Sequence, residues 1–115
     1  VTEKEFQTVM EEARVPGCDT MRYRIELGNG IVMSVQASWG HYCSPRQDML
    51  LSYNEWEIGY PSKVLDTLLP FAENPTMPLS TVYGWVPTNI ILDIINENGG
   101  TVKIVYDWKS RRTAE

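Results

Sequence analysis

Phe6, Val9, Met10 and Ala13 recur at helical spacing near the start of the chain. That periodicity predicts an amphipathic helix over residues 2–14. Thr2 with Glu5 fits a capping box, in which each side chain satisfies a backbone donor at the open helix end. Pro16-Gly17 ends the element. Such a stripe either docks on the domain's own sheet, the ordinary arrangement, or faces a partner.

The period then changes to two. Met21, Tyr23, Ile25 and Leu27 alternate with Arg22, Arg24 and Glu26. Gly28-Asn29-Gly30 supplies positive-φ residues for a tight turn. Ile31, Met33, Val35 and Ala37 return against Val32, Ser34 and Gln36. The pattern predicts a β-hairpin over 21–37. Arg22 and Arg24 are expected on one strand face, paired with carboxylates across the sheet or forming an anion site.

Residues 38–50 read as irregular. A strand over 51–60 is expected around Tyr53, Trp56, Ile58 and Tyr60, with Pro61 as its stop. Ser62 reads as an N-cap for a short helix through Leu69, burying Val64, Leu65, Leu68 and Leu69. Pro70, Pro75 and Pro78 make 70–79 an irregular crossing, and 80–86 reads as a short strand. Pro87 and Thr88 open a helix with Ile90, Ile91, Ile94 and Ile95 as its apolar face. Gly99-Gly100 closes it. Residues 101–108 alternate as a last strand, and 109–115 are expected to form a mobile basic tail.

The order α-β-β-β-α-β-α-β predicts one α+β domain over residues 1–115. Its sheet is expected to be mostly antiparallel, of about four to five strands, with helices on one face. Length agrees, since 115 residues are ordinary for one domain and need no metal or disulfide staple.

Ten Lys and Arg against fifteen Asp and Glu give a net charge of -5. That argues against direct binding to nucleic acid or an anionic membrane, both of which need clustered positive charge. The charge is uneven. Glu55, Glu57, Asp66, Glu73, Asp93 and Glu97 fall within residues 51–100, where Lys63 is the sole base. Such a segment is either a solvated face or an aid in steering toward a basic partner. Cys18 and Cys43 read as two reduced thiols. The opening Val-Thr-Glu-Lys-Glu-Phe does not read as a secretory signal, and the expected compartment is cytoplasmic.

Candidate chemistry is sparse. His41 and Cys43 point to one face if their stretch is extended, so the imidazole could support a thiolate nucleophile with Glu55 or Glu57 as orienting group. The plainer reading is a buried thiol beside a loop histidine. One His and two Cys without metal-ligand spacing imply no metal site, and phosphate-cradling loops are missing, so no cofactor is expected. Glu55 and Glu57 on one strand face give a weak carboxylate pair.

Aromatics are the larger excess. Four Trp and six Tyr include Trp39, Tyr42, Tyr60, Tyr83 and Trp85, which fall in expected loops or strand ends. A face of Trp39, His41, Tyr42, Arg46 and Tyr60 has the composition of a recognition patch. The competing reading packs these rings over the sheet edges.

Ser34-Val35-Gln36-Ala37-Ser38, His41-Tyr42-Cys43-Ser44-Pro45-Arg46, Glu57-Ile58-Gly59-Tyr60-Pro61-Ser62, Thr81-Val82-Tyr83-Gly84-Trp85-Val86-Pro87 and Gly99-Gly100 together resemble small proteins of bacterial phages, prophages and other mobile elements. The likeness spans about residues 21–100. It implies a context in which small acidic proteins bind a host or defence protein, anti-CRISPR inhibitors among them.

The sequence thus leads to the expectation of a non-enzymatic protein-binding accessory protein of a mobile element, acting on a partner with a basic surface. Its binding residues would be Trp39, His41, Tyr42, Arg46, Glu55, Glu57 and Tyr60. A small cysteine enzyme using Cys43 and His41, and a self-associating structural domain, are the alternatives.

Overall fold

The computed structural model describes residues 1–106. In chain order these form α1 (Glu3–Glu12), β1 (Arg24–Leu27), β2 (Val32–Gln36), β3 (Glu55–Gly59), a 3-10 helix (Asp66–Phe71), β4 (Val82–Pro87), α2 (Thr88–Glu97) and β5 (Val102–Val105). The strands make one five-stranded sheet in the order β4-β3-β2-β1-β5. Every neighbouring pair is antiparallel. The domain is therefore α+β, as its pattern predicts.

Register explains the core. Ile25 lies opposite Met33 and Ile104, and Val35 opposite Ile58. With Trp56 they share one sheet face, which the two helices cover. Phe6 of α1 meets Trp56 edge-on at 5.3 Å, and Ile91, Ile94 and Ile95 of α2 are buried in the same cluster. The capping box of α1 is present. Glu5 N–H donates to Thr2 Oγ1 at 3.2 Å, and Thr2 N–H donates to Glu5 Oε1 at 2.9 Å. The hairpin turn and the end of α2 touch so closely that a Cβ on Gly99 would lie 2.6 Å from the Gly28 Cα.

Arg22 departs from expectation. Strand pairing in β1 begins only at Arg24, so the alternation does not carry Arg22 to the same face. The Gln36 side chain instead replaces a partner strand for the Arg22 backbone. Arg22 N–H donates to Gln36 Oε1, and Gln36 Nε2 donates to Arg22 O, both at 2.8 Å. The Arg22 guanidinium is fully buried. It donates to the carbonyls of Met10 and Ala37 at 3.0 Å each and lies 5.2 Å from the Trp56 ring centroid. Its nearest carboxylate is Glu11 of α1 at 3.8 Å, not one across the sheet. Burial, with help from nearby Arg14, pushes its pKa down to about 10. Arg24 donates to the carbonyls of Val32 and Tyr60.

Two further expectations are corrected. The strand expected over 51–60 pairs only from Glu55 onward, because the preceding residues are used elsewhere. The Tyr53 hydroxyl donates to Gln47 O, and the Tyr53 carbonyl accepts from Thr88 Oγ1. The helix expected from Ser62 to Leu69 is replaced by the 3-10 helix Asp66–Phe71. Ser62 does not cap it, since its Oγ accepts from Val32 N–H at 2.9 Å. Pro70 lies inside it and lacks the N–H that regular helical bonding needs. Leu65 and Leu68 are buried, whereas Val64 is exposed and Leu69 half-buried.

β5 is described from Val102 to Val105. The strand expected to continue through Trp108, and the basic tail at 109–115, reach outside the described residues. Among the described residues no helix is long and apolar enough to cross a membrane.

Candidate functional site

The loop between β2 and β3 is tied down by its own polar groups. Asp48 Oδ1 accepts from Trp39 N–H at 2.8 Å, and Arg46 Nε donates to Trp39 O at 2.7 Å. Ser38 Oγ lies 2.6 Å from His41 Nδ1 and accepts from Gly40 N–H at 3.1 Å. Glu57 Oε2 accepts from Tyr42 N–H at 2.9 Å, and Trp85 N–H donates to Tyr42 O at 2.9 Å. The last two bonds fasten the loop to β3 and β4.

This wiring lines up four side chains. The Arg46 guanidinium lies 5.7 Å from the Trp39 ring centroid and 5.6 Å from that of Tyr42. Tyr42 in turn stacks on Trp85 at 5.0 Å with 19° between the planes. The result is a ladder, Trp39–Arg46–Tyr42–Trp85, of two cation–π contacts and one ring stack, which aromatic quadrupoles and a delocalised cation favour. Trp39 is 69% exposed, Tyr42 36% and Trp85 48%. These rings face outward and do not fill the core.

A bulge in β4 turns Trp85 out. Trp56 pairs with Val86 while Ile58 pairs with Tyr83, so β4 carries one residue more than β3 between the same contacts. Tyr83 and Val86 both become fully buried. Trp85 takes a positive φ of 51°. Gly84 beside it leaves room for Tyr42, whose Cβ would lie 3.2 Å from a Cβ added there.

Beyond the ladder, Tyr42, Phe71, Ala72, Glu73, Gly84 and Trp85 line a groove of about 430 Å³. Its far wall is fixed by Ala72, which bridges to Tyr83, and by Glu73 N–H, which donates to Val82 O at 3.0 Å. Burial pushes the Glu57 carboxyl above its ordinary pKa, the Tyr42 N–H opposes that shift, and the negative charge of Glu73 adds to it.

The residues singled out from sequence separate into three groups. Trp39, Tyr42, Arg46 and Glu57 come together. His41 joins their loop through Ser38. Glu55 begins β3, where its backbone pairs with Ser44 and Pro87. Tyr60 follows the opposite end of β3, beyond Gly59, with a φ of 50°; its backbone bonds Thr81 and Arg24, and among the described residues no ring contact joins it to the ladder. Trp85 and Glu73 were not among the candidate binding residues. The extra residue between Tyr83 and Val86 is visible only once β4 is paired.

Among the described residues no hydrogen bond joins the Cys43 thiol to the His41 ring, and each is bonded to Ser38 instead. The Cys43 thiol is buried and donates to Ser38 O at 3.1 Å. Burial raises its pKa, which disfavours the thiolate. Burial and the charge of Arg22 lower that of His41, whose ring is engaged by Ser38. No disulfide joins Cys43 to Cys18, and Cys18 Sγ lies 3.8 Å from Thr20 Oγ1. Among the described residues, no cluster of three His, Cys, Asp or Glu side chains is placed to hold a metal ion. No protein-family profile, no curated protein and no solved structure matches the chain.

Proposed function

We propose that this protein is a non-enzymatic protein-binding module whose recognition surface is the ladder Trp39–Arg46–Tyr42–Trp85. The observation that carries this reading is the outward placement of three aromatic rings, Trp39 and Tyr42 by a loop that is already hydrogen-bonded at Trp39, Tyr42 and Arg46, and Trp85 by the bulge in β4. Trp, Tyr and Arg are enriched among the few residues that carry most of the binding energy at protein interfaces. Rings held in place before association lose less conformational freedom on binding. The net charge of -5 favours a partner with a basic surface through electrostatic steering.

The resemblance to small proteins of phages and mobile elements extends this reading to a host or defence protein that handles nucleic acid. Covering its basic groove would block its substrate by charge and by bulk. The test is affinity capture from a bacterial lysate with the wild-type chain, Trp39→Ala and Tyr42→Ala in parallel. A discrete protein retained by the wild type and lost with both variants is expected. The same captured proteins in all three would overturn the assignment of this surface.

A further inference from the structure

Resting on that reading, we infer that the groove between Trp85 and Glu73 receives an arginine side chain of the partner. Three observations converge on a planar cation. First, the groove wall is an aromatic pair, Tyr42 on Trp85, and Trp85 keeps about half its surface exposed. A guanidinium stacks on such a face with its donors free at the edge. Second, Glu73, an exposed acid, lines the same groove. Third, Glu57 anchors Tyr42 from β3, one carboxylate oxygen accepting from the Tyr42 N–H at 2.9 Å, and the negative charge of Glu73 reaches it, partly offset by Arg46. A cation bound at Glu73 would offset the charge that Glu73 places near Glu57.

The protein already shows the same chemistry next door. Arg46 sits between Trp39 and Tyr42, within 6 Å of both centroids. An arginine on Trp85 would extend the ladder by one further rung. Arginine is favoured over lysine because its flat, weakly hydrated head can stack and also present two donors to a carboxylate. An acidic or neutral ligand would offer Glu73 no opposite charge.

The experiment titrates N-acetyl-arginine N-methylamide into the full chain and follows backbone and indole signals by NMR. The same titration uses the citrulline analogue, which keeps the shape and removes the charge. Saturable shifts confined to Tyr42, Glu73, Gly84 and Trp85 are expected for arginine. Affinity about tenfold lower is expected for the lysine analogue, for citrulline and for the exposed-site variant Glu73→Gln, each losing a charge-assisted or stacking contact. Equal binding of citrulline, or arginine shifts unchanged by Glu73→Gln, would overturn the proposal. Its failure is separable from failure of the ladder reading. Absent arginine binding with capture still lost in Trp39→Ala rejects the groove alone, whereas arginine binding with capture indifferent to Trp39→Ala rejects the ladder alone.

Discussion

Trp85 stacks on Tyr42, and its own backbone N–H donates to the Tyr42 carbonyl. One residue of the bulge thus grips the loop twice, by ring and by backbone. Removing either ring removes the stack and leaves the backbone bond. A double-mutant cycle of Tyr42→Ala and Trp85→Ala, read by urea unfolding, should give a coupling of about 0.5–1.5 kcal/mol. A coupling near zero would mean that the two rings do not depend on each other in solution.

Arg22 is the strongest test of the core. Arg22→Ala leaves the carbonyls of Met10 and Ala37 without their donor and opens a cavity beside Trp56. A loss of about 3–5 kcal/mol is expected in denaturant unfolding, since each buried carbonyl left without a donor costs about 1–3 kcal/mol and the cavity adds to that. A cost below about 1 kcal/mol would show that water enters and replaces the guanidinium.

Glu57 gives a pH signature. Its carboxyl is raised by burial, so the folded state binds its proton more tightly than the unfolded state does. This contribution therefore weakens the fold as pH rises from the ordinary carboxyl value of 4.5 through the raised one. Glu57→Gln keeps an acceptor for the Tyr42 N–H and removes the charge. The variant should gain stability over the wild type at pH 7, by less than about 1 kcal/mol because the side chain is half in water. The gain should vanish below pH 4.5 in thermal unfolding across that range. A gain that persists there would have a cause other than ionisation.

The thiols separate binding from catalysis. Cys43 is buried with a raised pKa, whereas Cys18 is half-buried. At pH 7.5 iodoacetamide should label Cys18 well before Cys43, as peptide mass spectrometry would show. Labelling of Cys43 faster than that of an unfolded control peptide would favour the cysteine-enzyme alternative.

Much of the fold was legible because its signals are local. The Thr2–Glu5 capping box, the alternation either side of Gly28-Asn29-Gly30 and the isoleucine face of α2 each specify an element through neighbours a few residues apart. The Ser62 helix misled for a related reason. A serine before an apolar run satisfies the same local rule whether its hydroxyl caps a helix or bonds Val32 across the chain.

For the site, composition brought Trp39, Tyr42, Arg46 and Glu57 into view. It did not pair Trp85 with them or set Tyr60 apart. The sequence by itself determined an α+β domain with more aromatic side chains than its core needs. Only the tertiary structure decided which rings stay outside. That choice rests on the bulge in β4, which exists only relative to β3, and on the bond from Tyr42 to Glu57, which spans 15 residues. Pairing register and long-range hydrogen bonds depend on where distant strands meet, and no local pattern of residues carries that information.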